Sequence, residues 1–398
     1  MPKAMREMLE KGYSIDEPDR MPENIEITNF DILMYVLAIA GHFVDMAVDT
    51  NIAVRYYLAH KYMEFGWTFL FIVLPAVVNT AVSARMYSQD QQQDTEPDQF
   101  TKRRKLRIVM LILLMAPVMR VTDALIYALK SRKAERKRDL SSQRLYYKLM
   151  LKEDSDAALL KVFECFLEAA PQQVLQMSLL MWGEERFTLH QSLSIASSVV
   201  GMGWCLAAYQ RAVRFTQQDK LNMNWVGSLL QTLWHFLVSL SRITAIAAMA
   251  YLFPHWITLA CAVHILFMTT WLQFFDKSPF CAQNKMADIL FSLALGAVYI
   301  FTYILPIEGR TRYRFATFYT LCFIENTASG VIWYLYAADT ISPVYYYSIL
   351  GLSVVPFVVG IVFMLVYYAF LHPKVRRGVR DFTITYKTNG DVPEIETT

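Results

Sequence analysis

Two pairs of carboxylates lie inside apolar runs at helical spacing: Asp45 with Asp49, and Glu164 with Glu168. Residues four apart share a helix face, so each pair sets two like charges side by side. A charge at mid-bilayer costs roughly 2.5–3.5 kcal/mol on insertion scales, so both pairs must face a bundle interior, a partner charge or water. The in-span candidates for partners are Arg120 and Arg242. Asp123 and Glu325 add further acid, and Gln172, Gln173 and Gln176 extend the Glu164/Glu168 face with neutral hydrogen-bonding groups. Two readings stand. One is a set of buried ion pairs that hold helices together; the other is a polar path for a polar or zwitterionic group. Paired carboxylates also suit calcium, but no EF-hand loop, Glu-x-x-His motif or histidine cluster accompanies them, so no metal is expected.

Enzyme signatures are missing. The sequence has no G-x-S-x-G elbow, no Walker A loop and no HExxH, so neither an enzyme nor a cofactor site is expected. Gly201-Met-Gly203-Trp lies in an apolar run and reads as close helix packing. The five cysteines show no CxxC pairing, which argues against a zinc site or a disulfide framework.

These residues must be positioned by membrane-spanning helices. Of the 398 residues, 55% are hydrophobic and only 18% charged, too apolar for a soluble chain of this length. Residues 1–28 are polar and mixed in charge, so the first apolar run is expected to insert as a span with the N-terminus cytosolic. Apolar stretches of spanning length lie near 30–58, 66–87, 106–129, 157–182, 190–213, 225–252, 256–275, 285–306, 314–338 and 345–371. Trp67, Trp182 and Trp256, near segment ends, read as interfacial anchors.

The basic clusters decide which segments cross. Residues 102–107 and 130–138 are both rich in Lys and Arg, and only the third segment separates them. Both belong on the cytosolic side, so that segment, which carries Pro117, Arg120 and Asp123, is expected to re-enter rather than cross. The eighth is expected to do the same, between Lys277 and the run Arg310, Arg312 and Arg314, with Pro306 near its end. The expected fold is therefore all-α: a polytopic membrane protein of about eight transmembrane helices plus two re-entrant segments in two pseudo-symmetric halves. Its parts would be a cytosolic arm (1–29), two membrane halves (30–214 and 215–372) and a short cytosolic tail (373–398).

Five stretches, in order, resemble the XK-related family: FVDMAVDTNIAVRYY (43–57), VFECFLEAAPQQVLQMSLLM (162–181), Gly203-Trp204 through Tyr209-Gln210-Arg211, Glu308-Gly309-Arg310-Thr311-Arg312, and LVYYAFLHP (365–373). The resemblance runs from about residue 31 to 373. It implies phospholipid scrambling, the ATP-independent exchange of lipids between leaflets that exposes phosphatidylserine on dying cells, in the plasma membrane. It also implies that Asp45, Asp49, Glu164, Glu168 and Arg242 belong to a charged internal path. The partners expected are membrane phospholipids, a single-span accessory glycoprotein and a regulating caspase, with no nucleic acid. Two departures stand out: Ala208 occupies a position where some members carry an acid, and the tail after Pro373 has no Asp-x-x-Asp. The one such motif is Asp16-Glu17-Pro18-Asp19, a candidate caspase site or a solvated acidic turn. Two other functions fit the same residues: a secondary transporter of a small polar solute, and a non-transporting membrane scaffold.

Overall fold

The computed structural model describes residues 27–92, 106–183, 189–216, 223–275, 279–281, 284–304 and 312–372. Asp16, Asp19, the basic stretch 102–105, Lys277, Arg310 and the tail after 372 lie outside them. The described residues are helical and contain no strand.

The first helix, α1 (Asn29–Leu58), starts at a capping box. Asp31 N–H donates to Thr28 Oγ1 at 3.2 Å, and the Thr28 N–H donates to the Asp31 carboxylate at 2.8 Å. The helix ends at a tight turn in which His60 takes φ +60°, returning the chain as α2 (Tyr62–Gln92) along α1. The third apolar segment is broken, as its Pro and charges suggest. Residues 106–112 are helical, Leu114 takes φ +59°, and a new helix, α3 (Ala116–Arg136), begins with Pro117 in its first turn. Pro117 thus starts a helix rather than kinking one, since its missing N–H would have had no intrahelical partner there.

Asp139 caps the next helix, α4 (Leu140–Glu164), and hydrogen bonds from Ser142 and Ser141 hold its carboxyl down to about 2. From α4 the chain continues without a break through a π turn, Cys165–Ala169, into α5 (Ala170–Met181). The rod therefore begins well before the apolar run at 157–182. Its polar first half, packed on α3, was invisible to hydropathy because it carries the partners of buried charges.

Among the described residues six further α-helices follow: α6 (Leu189–Thr216), α7 (Trp225–Leu252), α8 (Pro254–Phe275), α9 (Lys285–Val298), α10 (Arg312–Tyr336) and α11 (Pro343–Val366), the last running into a second π turn, Tyr367–Leu371. Among the described residues, five stretches are long and apolar enough to cross a membrane: Asn29–Leu58, Tyr62–Gln89, Trp225–Leu252, Pro254–Phe275 and Pro343–Leu371. With α9 only 14 residues long, its rise is about 21 Å, short of a hydrocarbon core of roughly 30 Å.

Helix α7 is the central post. Its most apolar window is 72% buried, against 0% for that of α1, because α5, α6, α10 and α11 all pack on α7. Gly203 lets α6 approach it, since a Cβ there would stand 2.7 Å from Thr232 O and 2.8 Å from Phe236 N, whereas Gly201 faces open space. The expected packing role therefore holds for one glycine of the pair. The core around α7 joins Phe163, Phe166, Trp234, Tyr299 and Phe318. Large apolar side chains also line the outside, among them Phe30, Leu33, Val44 and Val48 on α1. An exterior of that kind suits lipid rather than water, and the chain is an all-α, multi-pass membrane protein.

Candidate functional site: a polar furrow between α1 and α4

The four carboxylates meet along one line. Helix α1 packs its backbone on α2 and α3, and it reaches α4 through polar side chains. Tyr35 donates to Asp154 at 2.7 Å. About two to three turns further along, His42 Nδ1 stands 3.4 Å from Glu164 Oε1, and Lys161 Nζ stands 3.6 Å from Asp45 Oδ2 and 3.1 Å from Glu164 Oε1. Further still, Asp49 faces Glu168 and Gln172. The order 35, 42–45, 49 on α1 runs with 154, 161–164, 168–172 on the opposite side, so the two helices lie parallel.

The π turn sits in this line between Glu164 and Ala170. Such turns widen a helix by one residue and often mark functional positions. Here the widened turn still presents Glu164 and Glu168 towards α1, as their spacing implied.

Exposure distinguishes the furrow from a buried ion-pair network. The Asp45 side chain, midway along α1, is 62% exposed and that of Lys161, midway along the continuous rod of α4 and α5, 49%, while Glu164 is only 11% exposed. Glu164 Oε2 and Gln172 Nε2 make no hydrogen bond to the described residues. Lys161 contacts Asp45 and Glu164, and His42 contacts Glu164, so carboxylates outnumber cations along the line, which is open on the side of Asp45 and Lys161. It can exchange hydrogen bonds and charge contacts with a polar group travelling beside it.

The remaining sequence candidates form two other groups. Arg120, fully buried, pairs with Glu153 at 2.8 Å and Asp156 at 2.9 Å and donates to Ser83. Asp123 accepts from Arg107 at 2.8 Å and from Tyr87 at 3.1 Å, and Tyr87 lies under the Arg120 guanidinium at 3.7 Å. These groups lock α3 to α2 and α4. In the second half of the chain, Arg242 on α7 pairs with Glu325 on α10 at 2.8 Å and donates to Asn326 and to Ile300 O. His264 on α8 contacts the same Glu325 at 2.8 Å. Arg120 and Arg242, expected as counter-charges for the acid pairs, thus serve other carboxylates. The counter-charge that was missed is Lys161, three residues before Glu164, where an i, i+3 spacing of opposite charges was the available signal.

The second half repeats the geometry. Along α7 and α10, Trp234 meets Phe315 and Tyr319, Arg242 meets Glu325, and Tyr251 meets Trp333. Numbers rise together, so these two helices are also parallel. In their polar contact Arg242 is buried and Glu325 partly exposed, whereas Asp45 and Lys161 between α1 and α4 are both largely exposed. Among the described residues no His, Cys, Asp and Glu group is arranged to hold a metal ion.

The chain resembles curated proteins over most of its length. It is 26% identical over 381 residues to cell death abnormality protein 8 of Caenorhabditis elegans, covering 90% of this chain and 82% of the relative. With the Caenorhabditis briggsae protein of the same name it shares 26% identity over 383 residues, covering 91% and 82%. The family model described as XK-related protein matches residues 33–373, which take in the furrow, the Arg242–Glu325 pair and both π turns. The chain belongs to the XK-related family.

Proposed function

We propose that the chain is a phospholipid scramblase: it lets lipid headgroups cross along the α1/α4 furrow while their tails stay in the bilayer, without ATP. The observation that carries this reading is Asp45, a carboxylate midway along an apolar, outward-facing helix, 62% exposed and beside Lys161. A headgroup entering hydrocarbon must shed water at a cost of several kcal/mol, and fixed carboxylates and a lysine can replace part of that hydration. The acidic excess offers contacts to an ammonium group, and Lys161 offers one to a phosphate.

The parallel helices support the finer topology. If every segment crossed, α4 would run antiparallel to α1 and α10 antiparallel to α7, being three crossings on; a third and an eighth segment that return to their own side make each pair parallel. The reading is therefore about eight crossings and two re-entrant segments in two related halves, with both termini cytosolic and the protein in the plasma membrane. The names of the relatives support a role in cell death, and with it exposure of phosphatidylserine.

Reconstitution tests the proposal. Purified protein in liposomes should give external quencher access to inner-leaflet fluorescent phospholipid with no nucleotide present. Uptake of a polar solute without lipid movement would replace the scramblase by a transporter.

A further inference from the structure

A cavity of about 270 Å³ opens between α4, α6 and the start of α7, with Asp154, Arg211 and Ser228 in its lining. Three polar groups meet in it. Asp154 accepts from Tyr35 and has no cationic partner among the described residues. Arg211 lies over the Trp225 ring at 5.1 Å and pairs with no carboxylate there. The Ser228 hydroxyl is buried and makes no hydrogen bond to the described residues. A carboxylate and a guanidinium thus line one small cavity without forming an ion pair, beside a buried hydroxyl with no hydrogen-bond partner among the described residues. Tyr147 and Trp204 add aromatic rings to the lining, and the small side chains of Ala207, Ala208 and Ala212 leave room.

We propose that this cavity binds the phosphate-linked ammonium headgroup of a phospholipid: the ammonium against Asp154 and the aromatic walls, the phosphate against Arg211 and the Ser228 hydroxyl. Opposite charges too far apart to pair suit a zwitterion that spans them, and ammonium groups gain from aromatic faces. The volume suits a headgroup and is too small for a whole lipid, so the tails lie outside. Asp154 also ties the site to the furrow. It precedes Lys161 by seven residues, two turns and about 10 Å along the same helix face, and its other neighbour is Tyr35 on α1. The cavity is the loading end of the path. This inference rests on the scramblase reading for its role, but binding is read here without movement between leaflets, so either can fail alone.

The experiment measures phospholipid retained by the full-length protein on delipidation, by native mass spectrometry, with phosphatidylcholine and phosphatidylglycerol compared. Both carry phosphate and only the first carries ammonium. Asp154→Asn should lower phosphatidylcholine retention about tenfold and leave phosphatidylglycerol unchanged, while Arg211→Gln should lower both. Ala208→Phe, which fills the cavity and removes no charge, should lower both as well. Thermal unfolding midpoints within a few degrees of wild type show that the variants fold; a variant that does not fold is replaced by Ser228→Ala, expected to lower both lipids about threefold. Soluble glycerophosphocholine, which has the headgroup and no tails, should fail to displace the lipid. An unchanged lipid ratio in Asp154→Asn would overturn the site, and displacement by glycerophosphocholine at concentrations equal to the lipid would make it a site for a soluble phosphodiester.

Discussion

Lys161 reaches from α4 to within 3.6 Å of Asp45 on α1, and both side chains are about half exposed or more. A pair this open adds little stability, since exposed ion pairs are worth about 0–1 kcal/mol. Its position at mid-helix, where lipid would otherwise face apolar side chains, gives it another use. The Lys161→Met variant should keep a thermal midpoint close to wild type while its lipid exchange rate in liposomes falls about threefold or more, because a phosphate loses its cation along the furrow. A large loss of stability with an unchanged rate per folded molecule would return Lys161 to a structural role.

Arg120 should behave in the opposite way. It is fully buried between Glu153 and Asp156, so Arg120→Met takes the cation from the buried Glu153 and should destabilise the protein by about 3–5 kcal/mol. The triple variant Arg120→Met, Glu153→Gln, Asp156→Asn should regain much of that loss. Thermal unfolding in detergent checks both. Equal destabilisation by the single and triple variants would show that packing, not charge, holds α3 to α4.

Gly203→Leu tests the contact of α6 with the central post. Its Cβ would fall 2.7 Å from the Thr232 carbonyl and 2.8 Å from the Phe236 nitrogen, backbone atoms of α7 that cannot rotate away. The expected loss is about 1–3 kcal/mol, read as a lower midpoint. Gly201→Leu, which meets nothing within 4 Å, should leave the midpoint near wild type.

How much of this was legible follows from what each signal measures. The broken third segment could be read from Pro117 and from the basic clusters on either side, because charge orientation and proline chemistry act locally. The acid pairs were legible for the same reason: four-residue spacing fixes a face whatever the tertiary fold. Their partners were not. Glu153 and Asp156 lie in the polar first half of α4, which looks like a loop by hydropathy and is helical because α3 supplies Arg120. Likewise the Arg242–Glu325–His264 group joins residues far apart in the chain, and only α7, α8 and α10 packed together bring them into contact.

The parallel arrangement of α1 and α4 predicts the side on which the α3–α4 turn lies. With a cysteine at Lys133→Cys, a membrane-impermeant thiol reagent should fail to label intact cells beyond the wild-type background and should label after permeabilisation. Labelling of intact cells would mean that the third segment crosses.

The central claim is that lipid passes between α1 and α4, and bridging the furrow tests it most directly. The variant with Asp45→Cys and Lys161→Cys would be reconstituted and treated with a short, cleavable bifunctional thiol reagent, with each single variant and the wild type as controls for the native cysteines. The account predicts that the bridged double variant stops exchanging fluorescent phospholipid, that cleaving the bridge restores the rate this variant had before bridging, and that the reagent leaves the rate of each control unchanged. Exchange at the unbridged rate with the furrow held shut would contradict it and move the path elsewhere in the protein.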